Sequence, residues 1–67
     1  MTIYLNNELV KLPNDFMTVK DLLDWKKIGT QGTAVAIDNH LIRKETWGAR
    51  QLKDMDNITI ISAAFGG

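Results

Sequence analysis

Residues 18–29, Thr-Val-Lys-Asp-Leu-Leu-Asp-Trp-Lys-Lys-Ile-Gly, contain the strongest structural signal in the chain. Apolar side chains recur there with the spacing of one helical face, at Val19, Leu22 and Leu23. The pattern predicts a helix from about Val19 to Lys27 that buries this face against a core.

The two ends of this stretch carry the signals expected of helix termini. Thr18 and Asp21 have the spacing of a capping box, with Asp in place of the usual Glu or Gln. Lys26 and Lys27 place positive charge near the end, which suits the helix dipole. Gly29 is the predicted terminator.

Short apolar runs on both sides of the helix predict strands. Two of them are separated by Asn6-Asn7 and form a predicted hairpin before the helix. Three more follow it, the first two joined at Asp38-Asn39. The predicted strand cores are Ile3–Leu5, Leu9–Leu12, Ala34–Ile37, His40–Ile42 and Ile58–Ile61. The helix face should pack on alternate strand residues, namely Ile3, Leu5, Val35, Ile37, Ile58 and Ile60.

This order of elements predicts an α+β fold of the β-grasp, or ubiquitin-like, type. We expect a mixed five-stranded sheet with one main helix across one face. With 67 residues, the chain has room for a single domain over 1–67 with a thin core. Residues 63–67 lack helix and turn signals, and we expect them to form a flexible, exposed C-terminal tail.

The composition of the chain disfavours several classes of function. Eight basic and eight acidic residues give a formal charge of zero, which disfavours nucleic acid as the main partner. Apolar runs are far shorter than the roughly 20 residues that cross a bilayer, so no membrane role is expected. The N-terminus shows no signal-peptide pattern, and cysteine is absent. We therefore expect a cytoplasmic protein.

The tail residues suit a terminus that must enter another protein. Gly66 and Gly67 have no Cβ, so their backbone can pass through a narrow channel. If the C-terminus reacts inside another protein, Gly67 would carry the reacting carboxylate. Gly66, without a side chain, would leave space between this carboxylate and the walls of the channel. Phe65 is a candidate apolar anchor in a partner pocket, and Ala64 keeps the tail slim.

Residues distributed over the whole chain resemble the sulfur carrier proteins of thiamine biosynthesis, the ThiS family. The resemblance rests on the length, the element order, the region Val35–Trp47, the turn Leu52–Asp56 and the final Gly66-Gly67. It implies a carrier rather than an enzyme, with no cofactor bound by the chain itself. An ATP-using adenylyltransferase of the ubiquitin-activating type would adenylate Gly67. Sulfur would then give a thiocarboxylate, which a thiazole synthase would consume.

Two other functions remain open at this stage. The small subunit of molybdopterin synthase shares the fold, the diglycine and the chemistry, although that family usually has longer chains. A ubiquitin-like protein modifier or a plain binding module is the other alternative. A stand-alone enzyme is disfavoured because the sequence offers no nucleophile–base pair and no cofactor loop.

Several other residues have a structural and a functional interpretation. His40, Asp54 and Asp56 are better explained as turn residues than as metal ligands. We expect Trp25 and Trp47 to pack, although Trp25 lies at the flank of the helical face, where partial exposure and contact with a partner are the alternative. Arg43 and Lys44 should be solvated unless they steer an acidic partner. Docking should use the exposed sheet face beside the tail, with three candidate residues whose orientation the sequence leaves open: Met17, Leu41 and Ile61.

Overall fold

The computed structural model describes residues 1–62. The expectation that residues 63–67 form a flexible, exposed tail lies outside the described residues. The described part contains one α-helix, α1 (Val19–Trp25), and a short 3-10 helix, Lys44–Thr46. It also contains five strands, which are β1 (Thr2–Leu5), β2 (Glu8–Lys11), β3 (Thr33–Ile37), β4 (His40–Ile42) and β5 (Asn57–Ser62).

The five strands form one mixed sheet in the order β2-β1-β5-β3-β4. β1 and β5 run parallel, whereas the pairs β1–β2, β3–β4 and β3–β5 are antiparallel. This arrangement confirms the predicted β-grasp fold. It also puts β5, the last strand before residues 63–67, in the middle of the sheet.

Both predicted two-residue turns are present. Asn6 and Asn7 have φ of 50° and 71°, and Asp38 and Asn39 have φ of 51° and 68°. A two-residue hairpin turn of type I′ requires positive φ at both central residues, and Asn and Asp tolerate it better than most residues do. The turns therefore explain why polar pairs interrupt the apolar runs at these points.

The predicted start of α1 is confirmed in detail. Thr18 Oγ1 accepts a hydrogen bond from the Asp21 N–H at 3.1 Å, and Asp21 Oδ2 accepts one from the Thr18 N–H at 2.9 Å. This reciprocal pair satisfies two N–H groups that the first turn would otherwise leave without partners. Val19, Leu22 and Leu23 are fully buried, as the apolar periodicity predicted.

The predicted end of α1 is wrong. The helix ends at Trp25, two residues before Lys27, and Gly29 does not terminate it. Lys27 itself takes the left-handed conformation, with φ of 59°, and the Ile28 N–H donates to the Leu23 carbonyl at 2.8 Å. This is the Schellman arrangement, which closes the helix before Gly29 is reached.

The core lies between α1 and the inner face of the sheet. All six strand residues predicted to face the helix are buried, and they are joined by others from the connections: Leu12, Met17, Trp47 and Leu52. The Trp47 Nε1–H donates to the Ile42 carbonyl at 3.0 Å, so this indole packs without leaving its polar atom unsatisfied. Met17 is therefore a core residue and is not available for docking.

Candidate functional site

The candidate site is the end of β5 and the surface around it. β5 pairs with β1 through Asn57 and Ile58, and with β3 from Ile58 to Ser62, which faces Thr33. Residues 63–67 follow directly from this central strand. The predicted tail residues Ala64, Phe65, Gly66 and Gly67 lie outside the described part, and their roles stay predictions.

An apolar patch occupies the outer face of the sheet, opposite α1, beside the end of β5. We call it the outer patch; it consists of Ala34, Ala36, Leu41 and Ile61. Cross-strand pairing places Ala34 opposite Ile61 and Ala36 opposite Leu41, so the four side chains are neighbours on one face. Leu41 is 72% exposed and Ile61 is 62% exposed. Exposed apolar residues are individually ordinary, but two of them on one face beside the end of β5 make this face a candidate for binding.

The inner side of the same strand end is different. A groove of about 490 Å³ lies there, and its apolar lining includes Leu5 and Ile60. Lys26 and Lys27 line it as well, together with Glu8 of opposite charge. Ser62, the last described residue, therefore lies between the apolar outer patch and a groove of mixed apolar and charged lining.

A known protein family matches nearly the whole chain, including its last residues. The model of the ThiS family matches residues 3–67. The chain belongs to the ThiS family. Membership supports the role of a small sulfur carrier rather than that of a catalyst. No curated protein matches the chain.

Solved structures of similar fold include a ThiS-family relative. The crystal structure of the thiamine biosynthesis protein ThiS from Geobacter metallireducens is similar with a TM-score of 0.85 and 20% identity, covering 100% of both chains. A solution NMR structure of a thiamine biosynthesis protein from the same organism gives 0.83 and 20%, covering 100% of this chain and 88% of the other. At this identity the likeness establishes the β-grasp fold.

Two acidic residues that could have suggested a metal site have structural roles in this ThiS-family chain. Asp54 Oδ1 accepts from the Thr2 N–H at 2.8 Å, and Asp56 Oδ2 accepts from the Lys53 N–H at 2.8 Å. Asp54 thus ties the turn before β5 to the start of β1, and Asp56 closes the turn itself. Both residues therefore lie in the turn that the sequence predicted. Over residues 1–62, no group of three or more His, Asp or Glu side chains is placed to hold a metal ion.

The remaining predicted residues fall into buried and exposed sets. Trp47 is buried, as predicted, whereas Trp25 remains 42% exposed at the end of α1. Arg43 and Lys44 are on the surface, and Arg43 Nη2 lies 3.2 Å from Glu45 Oε2. His40 is exposed in β4. Among residues 1–62, no helix is long and apolar enough to span a membrane.

Proposed function

We propose that this chain carries sulfur on the carboxyl group of Gly67 for the formation of the thiazole ring in thiamine biosynthesis. The observation that carries the proposal is the ThiS-family match, which continues through Gly66 and Gly67. The fold supports it, because a small sheet whose central strand leads into these residues is a suitable platform for presenting them to other proteins.

The chemistry needs two steps at one carbon atom. A carboxylate is a poor electrophile, so an oxygen of the Gly67 carboxylate first attacks the α-phosphorus of ATP, and pyrophosphate leaves. A sulfur nucleophile at the oxidation level of sulfide then attacks the carbonyl carbon of this mixed anhydride. The C–S bond forms, the bond to AMP breaks, and a thiocarboxylate results. The chain contributes the carboxyl group of Gly67, whereas the adenylyltransferase binds ATP and provides the catalytic groups.

The tail sequence fits an acyl group that must reach a buried reaction centre. Gly66 has no side chain, so the backbone next to the reacting carbon can pass close to channel walls. Ala64 is nearly as small. Phe65 is the one bulky residue, and an aromatic side chain of this size can anchor the tail in a partner pocket.

The outer patch is the proposed docking surface for both partners, the adenylyltransferase and the thiazole synthase. It adjoins β5, so binding there brings the residues after Ser62 to the partner. Because both enzymes need the same terminus, they can use one surface in turn. We place the reaction in the cytoplasm, where the ATP for activation is available.

Intact-mass spectrometry tests this function directly. The purified chain is incubated with ATP, sulfide and an adenylyltransferase that activates ThiS-family carriers. We expect a product in which one oxygen atom is replaced by sulfur, and no such product from the variant that lacks Gly67. An unchanged wild-type mass, with an enzyme proven active on its own carrier, would refute the proposal.

A genetic experiment tests the destination of the sulfur. We expect the gene to restore growth of a thiazole auxotroph that lacks its own carrier. Rescue of a molybdenum-cofactor auxotroph without rescue of the thiazole auxotroph would assign the chain to molybdopterin synthase instead.

A further inference from the structure

β5 extends beyond the reach of its parallel neighbour. The β1–β5 pairing consists of Tyr4 with Asn57 and Leu5 with Ile58, and β1 ends at Leu5. On its other side β5 stays paired with β3 as far as Ser62. The last part of β5 therefore has a strand neighbour on one side only, immediately before the tail.

The Asn6 side chain occupies the place of the missing neighbour. Its Oδ1 accepts from the Ile60 N–H at 2.8 Å, and its Nδ2 donates to the Ile60 carbonyl at 3.2 Å. The Asn6 backbone N–H also donates to the Ile58 carbonyl at 2.9 Å. One residue thus holds β5 at two successive points, and its carboxamide imitates the peptide group that a longer β1 would have provided.

The turn conformation makes this contact feasible. Asn6 has φ of 50°, so the backbone turns away towards β2 while the side chain remains over the edge of β5. Both hydrogen bonds to Ile60 are partly buried, which makes the loss of either more damaging than at a solvated position. The neighbours that follow Ile60 are Ile61, whose side chain belongs to the outer patch, and Ser62.

We propose that Asn6 is a positioning residue for sulfur loading, an inference that rests on the proposed function. By binding both polar groups of the Ile60 backbone, it fixes the last part of β5, with Ile61 in the outer patch and Ser62 at its end. A partner that binds the outer patch then meets Ser62, the residue from which the chain continues, in a fixed position. Without the carboxamide, the Ile60 backbone loses both hydrogen bonds on the β1 side, and the last part of β5 is held only by its pairing with β3.

Glycine substitution separates this role from the conformational demand of the turn. Asn6→Gly keeps the freedom to adopt positive φ but removes the carboxamide. Asn7→Gly is the matched control, because Asn7 occupies the same turn with φ of 71° and lies outside the contact with Ile60. Asn6→Asp retains an acceptor for the Ile60 N–H but has no donor for the Ile60 carbonyl.

The experiment combines amide hydrogen exchange with loading kinetics. Exchange at the Ile60 N–H is followed by NMR, and thiocarboxylate formation is followed with ATP, sulfide and the adenylyltransferase. All variants are assayed at a temperature at which circular dichroism shows them to be folded. We expect Asn6→Gly to speed exchange at Ile60 and to raise KM for the carrier about tenfold, the effect of losing roughly one to two hydrogen bonds.

Comparison with the control variants shows whether the Asn6 carboxamide itself is needed for loading. Asn7→Gly should load like the wild type. Asn6→Asp should also be impaired, because its second carboxylate oxygen faces the Ile60 carbonyl oxygen and repels it. Equal loading kinetics for Asn6→Gly and Asn7→Gly, with a wild-type protein that loads normally, would overturn this inference alone. A wild-type protein that is never loaded would overturn the proposed function, and the positioning role with it.

Discussion

The two faces of the sheet carry similar apolar residues, but these residues have different roles. Ile60 and Ile61 are neighbours in β5, yet Ile60 is 9% exposed on the inner face and Ile61 is 62% exposed on the outer face. The inner side chains pack against α1 and form the core. The outer patch contributes little to that core. Alternation along one strand therefore separates the residues that stabilise the fold from those that remain available to a partner.

The largest effect should come from disturbing the inner face. Ile58 is fully buried, so Ile58→Thr removes packing and places a hydroxyl among apolar side chains. We expect the free energy of unfolding to fall by about 2–4 kcal/mol in urea titrations. The same substitution at Ile61 keeps a β-branched residue on an exposed position, and should change stability by less than about 0.5 kcal/mol. Equal losses at the two positions would break the distinction between the faces.

The outer patch should affect loading rather than stability. We expect Ile61→Thr to raise KM for the carrier in the adenylation reaction about tenfold, because a side chain at the centre of an interface contributes roughly 1 kcal/mol or more. Leu9→Thr is the control, since Leu9 is also 62% exposed but lies on the outer face of β2, away from the end of β5. Comparable effects of both substitutions would contradict a localised docking site.

A smaller effect, on stability alone, should come from a substitution at the end of α1. Lys27 holds a left-handed conformation that glycine adopts without strain. We expect Lys27→Gly to raise the free energy of unfolding by up to about 1 kcal/mol, measured by urea titration, without improving loading. Gly29→Ala, whose added Cβ would meet nothing within 4 Å, should change stability little. Faster loading in proportion to stability would show that the two properties are not separate.

Local patterns in the sequence were sufficient to predict most of the fold. The capping residues and apolar spacing of α1, the Asn6-Asn7 and Asp38-Asn39 turns and the alternation in the strands each depend on close neighbours in the chain. The end of α1 was predicted incorrectly because glycine is the residue that usually takes the left-handed conformation after a helix. Here Lys27 takes that conformation, so the helix ends before Gly29. Met17 lies in a connection without periodicity, so no pattern indicated its burial.

The candidate site was predictable only in part. The diglycine and the family resemblance pointed to Gly67, and alternation indicated that one sheet face would be exposed. The contact between Asn6 and Ile60 joins residues 54 positions apart, so no local pattern could have revealed it. The outer patch likewise depends on the register between β3, β4 and β5, which brings Leu41 and Ile61 to the same region of the outer face.

The most direct test of the account is to locate the transferred sulfur within the loaded chain. The product of the reaction with ATP, sulfide and the adenylyltransferase is cleaved, and the peptide that contains Phe65, Gly66 and Gly67 is fragmented in a mass spectrometer. The account predicts that the oxygen-to-sulfur exchange lies on the Gly67 carboxyl group and nowhere else. Sulfur on any other residue, or loading that persists after Gly67 is deleted, would contradict it.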